Sequence, residues 1–436
     1  MNYYSTNNKN SKVSLKEAVL KGLAPDNGLY MPESVPVLPK SFFDSLPEKS
    51  FQQIAYEVAY ALLQQDVPAD ELRKMIEHTI TFDAPLVEIE KSVLSLELFH
   101  GPTLAFKDFG ARFMSQLLSC FAKEEKREIV ILVATSGDTG SAVANGFLGV
   151  PGVKVVVLYP SGKVSDIQEK QFTTLGQNIT ALEVDGSFDD CQRLVKEAFL
   201  DEDLNKEFFL TSANSINIAR LIPQSFYYFY AWSRLKNRSN IVFSVPSGNF
   251  GNLTAGLIAK RMGLPIRQFI ASTNSNDIVP EYLQSGIFNP KPSQTTVSNA
   301  MDVGNPSNFA RMMDLYANNL NNIKADITGY RFSDEETKQA MREVYKTSNY
   351  ILDPHGAIGY LGLKKYLAEH TEATGVFLET AHPAKFLDVV ENGINITVAI
   401  PDKLNAFIKR EKKSIRIQNN FKRFKSLLNQ HLNTFP

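Results

Sequence analysis

Apolar residues recur at helical spacing through the first part of the chain, residues 1–85. Ser14 precedes one apolar stripe, and Glu17 follows three residues later, which is the spacing of a capping box. Phe51 to Gln64 repeats the helical spacing, and a further helix is predicted from Glu71 to Glu77. The pattern therefore predicts a mainly helical N-terminal segment.

Short and almost continuous apolar runs replace the helical spacing from Leu86 onward. Four such runs alternate with helical patterns, and they lie at Ile129 to Ala134, Val153 to Leu158, Ile179 to Val184 and Ile241 to Val245. Apolar strands that alternate with helices are typical of a parallel sheet covered on both faces. The rest of the chain is therefore predicted to have an α/β fold.

Composition narrows the class of protein. The chain has 436 residues, of which 43% are hydrophobic and 21% charged, so two or three globular domains are expected. A net charge of -1 argues against a nucleic-acid partner. No apolar stretch is long enough to span a bilayer, and no secretory signal is visible. Sparse cysteines, Cys120 and Cys191, suit a reducing cytosol, so a cytoplasmic protein is expected.

Two loops share one design, in which a strand leads through a glycine-rich turn into a helix. They are Ala134 to Gly140 and Pro246 to Asn252. The glycines let backbone N–H groups point at one spot, and the helix N-terminus adds partial positive charge, which suits a phosphate. Neither loop matches the Walker fingerprint of nucleotide-binding proteins or the dinucleotide-binding fingerprint, which argues against both kinds of site. Either loop alone could also be a tight turn before a capped helix.

Lys107 has an unusual setting for a lysine. It follows a turn at Gly101 to Thr103 and lies between Phe106 and Phe109. Apolar surroundings favour the neutral amine, and a neutral amine can attack an aldehyde to form an imine. The alternative is a surface lysine on an amphipathic helix. The segment from Thr380 to Phe386 also follows an apolar run and is predicted to lie at a strand end.

Taken as a set, the motifs of this chain occur in the order of a known family. They are His100-Gly-Pro-Thr-Leu-Ala-Phe-Lys107-Asp, Thr135-Ser-Gly-Asp-Thr-Gly140, Ser247-Gly-Asn-Phe-Gly-Asn252 and Thr380-Ala-His-Pro-Ala-Lys-Phe386. Similar runs lie at Val19 to Tyr30, Gln168 to Gln171 and Asn214 to Asn217. The chain resembles the threonine synthase family, in the branch found in enteric bacteria and fungi. The resemblance extends from near the N-terminus to about Phe386.

The resemblance implies a fold-type II enzyme that depends on pyridoxal 5'-phosphate (PLP), similar to the tryptophan synthase β subunit. Two parallel-type α/β domains would follow the helical N-terminal domain of residues 1–85. Residues 86–120 and 221–436 would form a large PLP domain. Residues 121–220 would form a smaller, mobile domain that closes over the substrate.

The resemblance also assigns roles to individual residues. Lys107 would carry the cofactor as a Schiff base and move the substrate α-proton. Thr380 would face the pyridine nitrogen, and Asp138, where many fold relatives have Asn, would contact the cofactor. The cofactor phosphate would be held by Gly248, Asn249, Phe250, Gly251 and Asn252. The predicted substrate-binding residues are Thr135, Ser136, Gly137, Thr139, Arg112 and Arg220, with Lys170 as a further cationic candidate. No metal ligand is predicted.

The implied reaction converts O-phospho-L-homoserine and water into L-threonine and phosphate, by γ-elimination followed by addition of water at the β-carbon. The alternatives are another fold-type II enzyme, such as a serine/threonine dehydratase or a β-replacement enzyme, and a dinucleotide dehydrogenase. A catalytically inactive relative that binds or regulates is a further alternative. The expected partner is the small-molecule substrate, and both a monomer and a dimer remain open.

Overall fold

The fold is taken from a computed structural model that describes residues 1–123, 125 and 127–432. The strands are β1 (Asn2–Ser5), β2 (Asn8–Ser14), β3 (Tyr30–Pro32), β4 (Leu86–Glu90), β5 (Val93–Glu97), β6 (Ile129–Ala134), β7 (Val153–Pro160), β8 (Ile179–Asp185), β9 (Phe209–Ser212), β10 (Ile241–Pro246), β11 (Gln268–Thr273), β12 (Ile327–Arg331), β13 (Thr374–Glu379) and β14 (Ile415–Gln418). The helices are α1 (Leu15–Lys21), α2 (Lys40–Ser45), α3 (Phe51–Leu63), α4 (Ala69–Thr79), α5 (Lys107–Ala122), α6 (Asp138–Gly146), α7 (Asp166–Thr173), α8 (Phe188–Leu200), α9 (Glu202–Glu207), α10 (Ile218–Leu221), α11 (Phe226–Arg234), α12 (Gly251–Arg261), α13 (Ile278–Ser285), α14 (Phe309–Leu315), α15 (Leu320–Asp326), α16 (Asp334–Ser348), α17 (Pro354–Glu369), α18 (Leu387–Ile394), α19 (Asp402–Ile408) and α20 (Phe421–Leu432).

The N-terminal segment contains the predicted helices and a small sheet that the sequence pattern did not indicate. Ser14 begins α1 as predicted, because its Oγ accepts a hydrogen bond from the Glu17 N–H at 3.1 Å. The strands β2, β1 and β3 form an antiparallel sheet in that order. Strand β2 is almost entirely exposed, so it carries no alternation of apolar and polar residues from which a strand could be predicted.

The large sheet places two predicted motifs side by side. Its strand order is β12-β11-β10-β13-β5-β4, and only the β4–β5 pair is antiparallel. Strands β10 and β13 are parallel neighbours, so both end at the same edge of the sheet. The glycine-rich loop after Pro246 and the segment that begins at Thr380 therefore leave the sheet next to each other.

The second sheet is parallel throughout and has the order β14-β8-β7-β6-β9. Strand β6 leads into the first glycine-rich loop, and α6 follows it as predicted. The predicted runs at Ile129 to Ala134, Val153 to Leu158 and Ile179 to Val184 all lie in this sheet.

The C-terminal segment does not lie in the large domain, where the sequence analysis had placed it. Strand β14 pairs in parallel with β8, and α20 packs on α8, so residues 415–432 belong to the smaller domain and not to the large one. Ile417, Phe424 and Leu428 are buried in the core of that domain. The prediction was wrong here because β14 has only four residues and its partner strand lies far away in sequence. Residues 433–436 of the same prediction lie outside the described residues.

The basic residues of the C-terminal segment have acidic partners on the smaller domain. Lys412 pairs with Glu169 at 2.6 Å and with Glu183 at 2.7 Å, and Arg416 pairs with Asp185 at 2.7 Å. These ion pairs balance two of the positive charges of this segment within the protein.

We expect replacement of Phe424 by alanine to destabilise the smaller domain. The side chain is 0% exposed in a close-packed core, so truncation leaves a cavity and lowers the free energy of unfolding by about 3–5 kcal/mol. Chemical denaturation measures the change. Phe421→Ala is the matched control, because Phe421 lies on the same helix but is only partly buried. An equal loss in both variants would contradict the placement of α20.

Among residues 1–123, 125 and 127–432, none of the helices combines the length and the apolar composition that crossing a bilayer requires. Cys120 and Cys191 are both free thiols.

Candidate active site

A short antiparallel contact brings Lys107 beside the end of β13. The Phe106 N–H donates to the Thr380 carbonyl at 2.9 Å, and the His382 N–H donates to the Leu104 carbonyl at 3.0 Å. Helix α5 begins at Lys107, directly after this contact. The lysine and the Thr380 segment, which are far apart in sequence, are therefore held at one place.

The Lys107 side chain is partly buried, and its amine has no competing partner. No acceptor in the described chain is within hydrogen-bonding or ion-pair distance of Nζ, which lies 5.8 Å from the centre of the Phe106 ring. Burial lowers the pKa of Lys107 to about 8, with Asp138 opposing the shift and Arg220 and Lys385 adding to it. A substantial fraction of the amine is therefore neutral near physiological pH.

The loop from Pro246 to Asn252 forms a concave group of backbone donors. In the part of the chain that the structure describes, the N–H groups of Gly248, Asn249 and Phe250 donate to no protein acceptor. Phe250 adopts a left-handed conformation, with φ of 60°, just before α12 begins. A Cβ at Gly248 would lie 2.6 Å from the Met301 Cα, so glycine is needed for this close approach. Free N–H groups at a helix N-terminus suit a phosphate.

The side chains of this loop point at other protein groups and fix its shape. The Asn249 amide donates to the Ser215 Oγ at 2.5 Å. Asn252 Oδ1 accepts from two buried tyrosine hydroxyls, Tyr227 at 2.6 Å and Tyr228 at 2.8 Å. The backbone of the loop, more than its side chains, is thus left to bind a ligand.

Thr380 supplies a hydroxyl at the same edge of the sheet. The residue is 7% exposed, and its Oγ1 forms no hydrogen bond within the described residues. A free hydroxyl can donate to a neutral ring nitrogen. The free amine of Lys107, the free N–H groups of the loop and this hydroxyl together fit the aldehyde, the phosphate and the pyridine ring of PLP.

The loop after β6 is shaped by Thr135 and presents two hydroxyl groups. Thr135 Oγ1 accepts from the Gly137 N–H at 2.9 Å and from the Gly140 N–H at 2.8 Å. Gly137 has a φ of 140°, and a Cβ there would lie 2.5 Å from the side chain of Gln168. Ser136 and Thr139 are half-buried, and neither hydroxyl bonds to another described residue. These two hydroxyls are therefore available to a ligand.

Asp138 is held in a buried ion pair. Its Oδ1 lies 2.6 Å from Lys385 Nζ and accepts from Gln168 Nε2 at 2.8 Å. Burial disfavours the charged carboxylate, but Lys385, Lys107 and the hydrogen bond from Gln168 outweigh it and lower the pKa of Asp138 well below its usual range. Asp138 is therefore ionised throughout the physiological pH range.

Lys385 is the residue of this group that the sequence analysis did not single out. It lies in a 3₁₀ turn, Pro383–Phe386, and its Nζ also donates to the Thr103 carbonyl at 2.9 Å. The signal was present, because Lys385 lies between an alanine and Phe386 in the same kind of apolar setting that drew attention to Lys107.

Arg220 is a buried cation with unused donors. Its Nη1 donates to the Ala213 carbonyl at 2.5 Å, whereas its Nε has no acceptor in the described chain. No described carboxylate lies within ion-pair distance, and burial lowers the pKa of Arg220 to about 10. Gly110 makes room for it, since a Cβ there would lie 2.8 Å from Nε. A buried guanidinium with spare donors suits an anionic ligand group.

Arg112 and Lys170 have their charged groups bound to other parts of the protein. Arg112 donates to the carbonyls of His78 and Thr79, the last two residues of α4. Lys170 donates to the Arg410 carbonyl at 2.7 Å. The structure thus brings Lys107, Asp138 and Arg220 together but does not add these two cations to the group.

We expect Gly248→Ala to weaken PLP retention by about tenfold or more, because its Cβ would overlap the Met301 backbone and displace the loop. Visible absorbance after dialysis measures the retained cofactor. Gly393→Ala is the matched control, since the nearest atom to its Cβ is 3.6 Å away, and it should retain PLP normally. Equal retention in both variants would argue against the loop as the phosphate site.

Family models match almost the whole chain. Residues 2–80 match a model described as the threonine synthase N terminus, and residues 81–379 match the pyridoxal-phosphate dependent enzyme model. Residues 356–428 match a model described as threonine synthase, C-terminal. These matches confirm the predicted PLP-dependent class.

Individual proteins give the same result over their full length. Threonine synthase from Haemophilus influenzae is 45% identical over 430 residues, which cover 98% of this chain and 99% of that protein. The crystal structure of threonine synthase from Escherichia coli has a TM-score of 0.93 and 43% identity, covering 99% of this chain and 100% of that one. PLP-bound threonine synthase from Brucella melitensis also has a TM-score of 0.93, at 34% identity and 99% coverage of both chains.

These comparisons confirm the fold-type II prediction as well as the cofactor. The chain belongs to the threonine synthase family of PLP-dependent lyases.

Proposed function

We propose that this chain converts O-phospho-L-homoserine and water into L-threonine and phosphate. The observation that carries the proposal is the charge of the site. The site has three cationic residues, which are Lys107, Lys385 and Arg220. They interact electrostatically with two carboxylates, Asp138 and Asp108, of which only Asp138 forms an ion pair with one of them. An excess of buried cationic groups suits a substrate with both a carboxylate and a phosphate monoester.

PLP would be attached through Lys107, with its phosphate on the backbone N–H groups of residues 248–252 and its ring beside the Thr380 hydroxyl. The bound cofactor supplies an electron sink for negative charge at the substrate α-carbon. Thr380 is neutral, so the group proposed beside the ring nitrogen is a hydroxyl and not a carboxylate.

Substrate recognition would divide between two parts of the site. The free hydroxyls of Ser136 and Thr139 lie at the N-terminus of α6, where a carboxylate is favoured by the helix dipole. Arg220 has a free Nε and is the buried guanidinium available for the substrate phosphate. Arg112 would act structurally, because its guanidinium holds the C-terminal end of α4.

Lys107 would move the protons of the reaction. Overall, the γ-carbon exchanges its phosphate oxygen for a hydrogen, and the β-carbon exchanges a hydrogen for the hydroxyl of water. An amine with a pKa of about 8 can both accept and return a proton near neutral pH. Lys107 is the group in this site whose amine is free to do so.

Exclusion of water would depend on contacts between the two α/β domains. The Asp138–Lys385 pair joins the loop after β6 to the turn after β13. Ser165 Oγ donates to the Lys385 carbonyl at 3.2 Å and adds a second link. These contacts would hold the two loops together and so limit the access of water between them.

The test is a product balance with O-phospho-L-homoserine as substrate. We expect one phosphate and one threonine for each substrate consumed, and no 2-keto acid from serine or threonine at a comparable rate. Borohydride reduction followed by peptide mapping should locate the cofactor on Lys107. Deamination of serine without release of phosphate from phosphohomoserine would replace the proposal by a dehydratase activity.

A further inference from the structure

Two lysines in this site act on one carboxylate. Lys107 and Lys385 both interact electrostatically with Asp138, but only Lys385 is within ion-pair distance of it. The other charged groups near them are Arg220, which acts on Lys107, and Asp108, which interacts with Lys385. Which lysine pairs with Asp138 therefore decides which lysine remains free.

The pairing is fixed by several contacts. The Lys385 side chain is 0% exposed, and its Nζ is 2.6 Å from Asp138 Oδ1 and 2.9 Å from the Thr103 carbonyl. The same carbonyl accepts from Gln171 Nε2 at 2.9 Å. Gln168 Nε2, from the same domain as Asp138, donates to the same Asp138 oxygen at 2.8 Å and orients the carboxylate. Lys385 is thus held on Asp138 by a closed set of polar contacts.

Asp108 interacts with Lys385 electrostatically but forms no ion pair with either lysine. Both of its carboxylate oxygens are used by Thr103, through the hydroxyl at 2.7 Å and the backbone N–H at 2.9 Å. Thr103 therefore contacts both residues. Its carbonyl accepts a hydrogen bond from Lys385, and its hydroxyl and N–H donate to Asp108.

The consequence concerns the reactivity of Lys107. A carboxylate next to an ammonium group stabilises the charged form, and a charged amine cannot attack an aldehyde. If Asp138 were without its partner, its charge would act on Lys107 with only burial and Arg220 to oppose it. Lys385 both satisfies Asp138 and adds a second positive charge, and each effect favours the neutral amine of Lys107.

We propose that Lys385 is a positioning residue: by holding Asp138 in an ion pair, it leaves Lys107 as a free amine that can react with the cofactor aldehyde. This inference rests on the role of Lys107 in the proposed function. In the reaction, the Lys107 nitrogen forms a bond to the aldehyde carbon, and the aldehyde oxygen leaves as water.

The test measures the reactivity of Lys107 against pH in the full-length chain freed of cofactor. Pyridoxal is the aldehyde probe; it lacks a phosphate and so does not depend on the phosphate loop. Borohydride delivers hydride to the C=N bond, a solvent proton completes the stable secondary amine, and peptide mapping quantifies the label at Lys107. The midpoint of labelling against pH then reports the protonation of this one lysine.

Lys385→Met and Asp138→Asn should move the midpoint in opposite directions. Lys385→Met leaves Asp138 to act on Lys107, so the midpoint should rise by about one pH unit or more. Asp138→Asn removes the attraction and frees Lys385 to repel Lys107, so the midpoint should fall. Lys385→Arg keeps the charge and should stay near the wild type. The double variant should lie between the two single variants.

The opposite signs separate this role from a purely structural one, because loss of structure would not lower the midpoint in one variant and raise it in the other. If Lys385→Met does not fold, the double variant, in which both charges are gone, should still have a higher midpoint than Asp138→Asn. An unchanged midpoint, or shifts of the same sign, would overturn the inference. Absence of label at Lys107 in the wild type would instead contradict the proposed function.

Discussion

Replacement of Lys107 by alanine is expected to abolish turnover and to remove the visible colour of the purified protein. The amine is the group that would attach the cofactor and also move protons, and a positioned acid-base group alone contributes about 10²- to 10⁴-fold to a rate. We therefore expect the turnover number to fall by at least about 10³-fold. Phosphate release with O-phospho-L-homoserine and visible absorbance measure the two effects.

Lys170→Ala is the control for this experiment. Lys170 is also a lysine of a motif that resembles the family, but its Nζ donates to the Arg410 carbonyl outside the group. Colour and turnover should both survive in this variant. Turnover that persists in Lys107→Ala, at a rate close to that of the unmodified protein, would remove this lysine from the mechanism.

Arg220→Met is expected to lower kcat/KM for the phosphorylated substrate by about 10²- to 10³-fold. The substrate phosphate would lose its buried cationic partner, and removing one partner of such a pair costs several kcal/mol. Retention of PLP should be nearly unchanged, since Arg220 bonds to the Ala213 carbonyl and not to the phosphate loop. The free energy of unfolding should change little, because a buried guanidinium without a carboxylate partner contributes weakly to stability.

Arg112→Met is the matched control for Arg220→Met. Its guanidinium holds the carbonyls of His78 and Thr79, so stability should fall while KM for the phosphorylated substrate stays close to normal. Steady-state kinetics and chemical denaturation of both variants provide the comparison. A larger rise of KM in the Arg112 variant would reverse the assignment of the substrate phosphate.

The strands of the α/β domains could be predicted because each is a continuous apolar run buried on both faces. β6 was predicted with the bounds Ile129 to Ala134 that it has, and β10 to within one residue. The polar strand β2 and the short strand β14 could not be predicted, since neither has a pattern of its own and both depend on a partner strand. This dependence is also why residues 415–432 were assigned to the wrong domain.

The sequence by itself determined the family, the helical and α/β parts, and the motifs that lie around Lys107, because these depend on residue order and local pattern. Only the tertiary structure decided how the charges are paired. Arg112 and Arg220 look equivalent along the chain, yet one is bound to carbonyls near the surface and the other is buried with free donors. Pairing of Asp138 with Lys385 depends on the distance between two domains, which no local pattern contains.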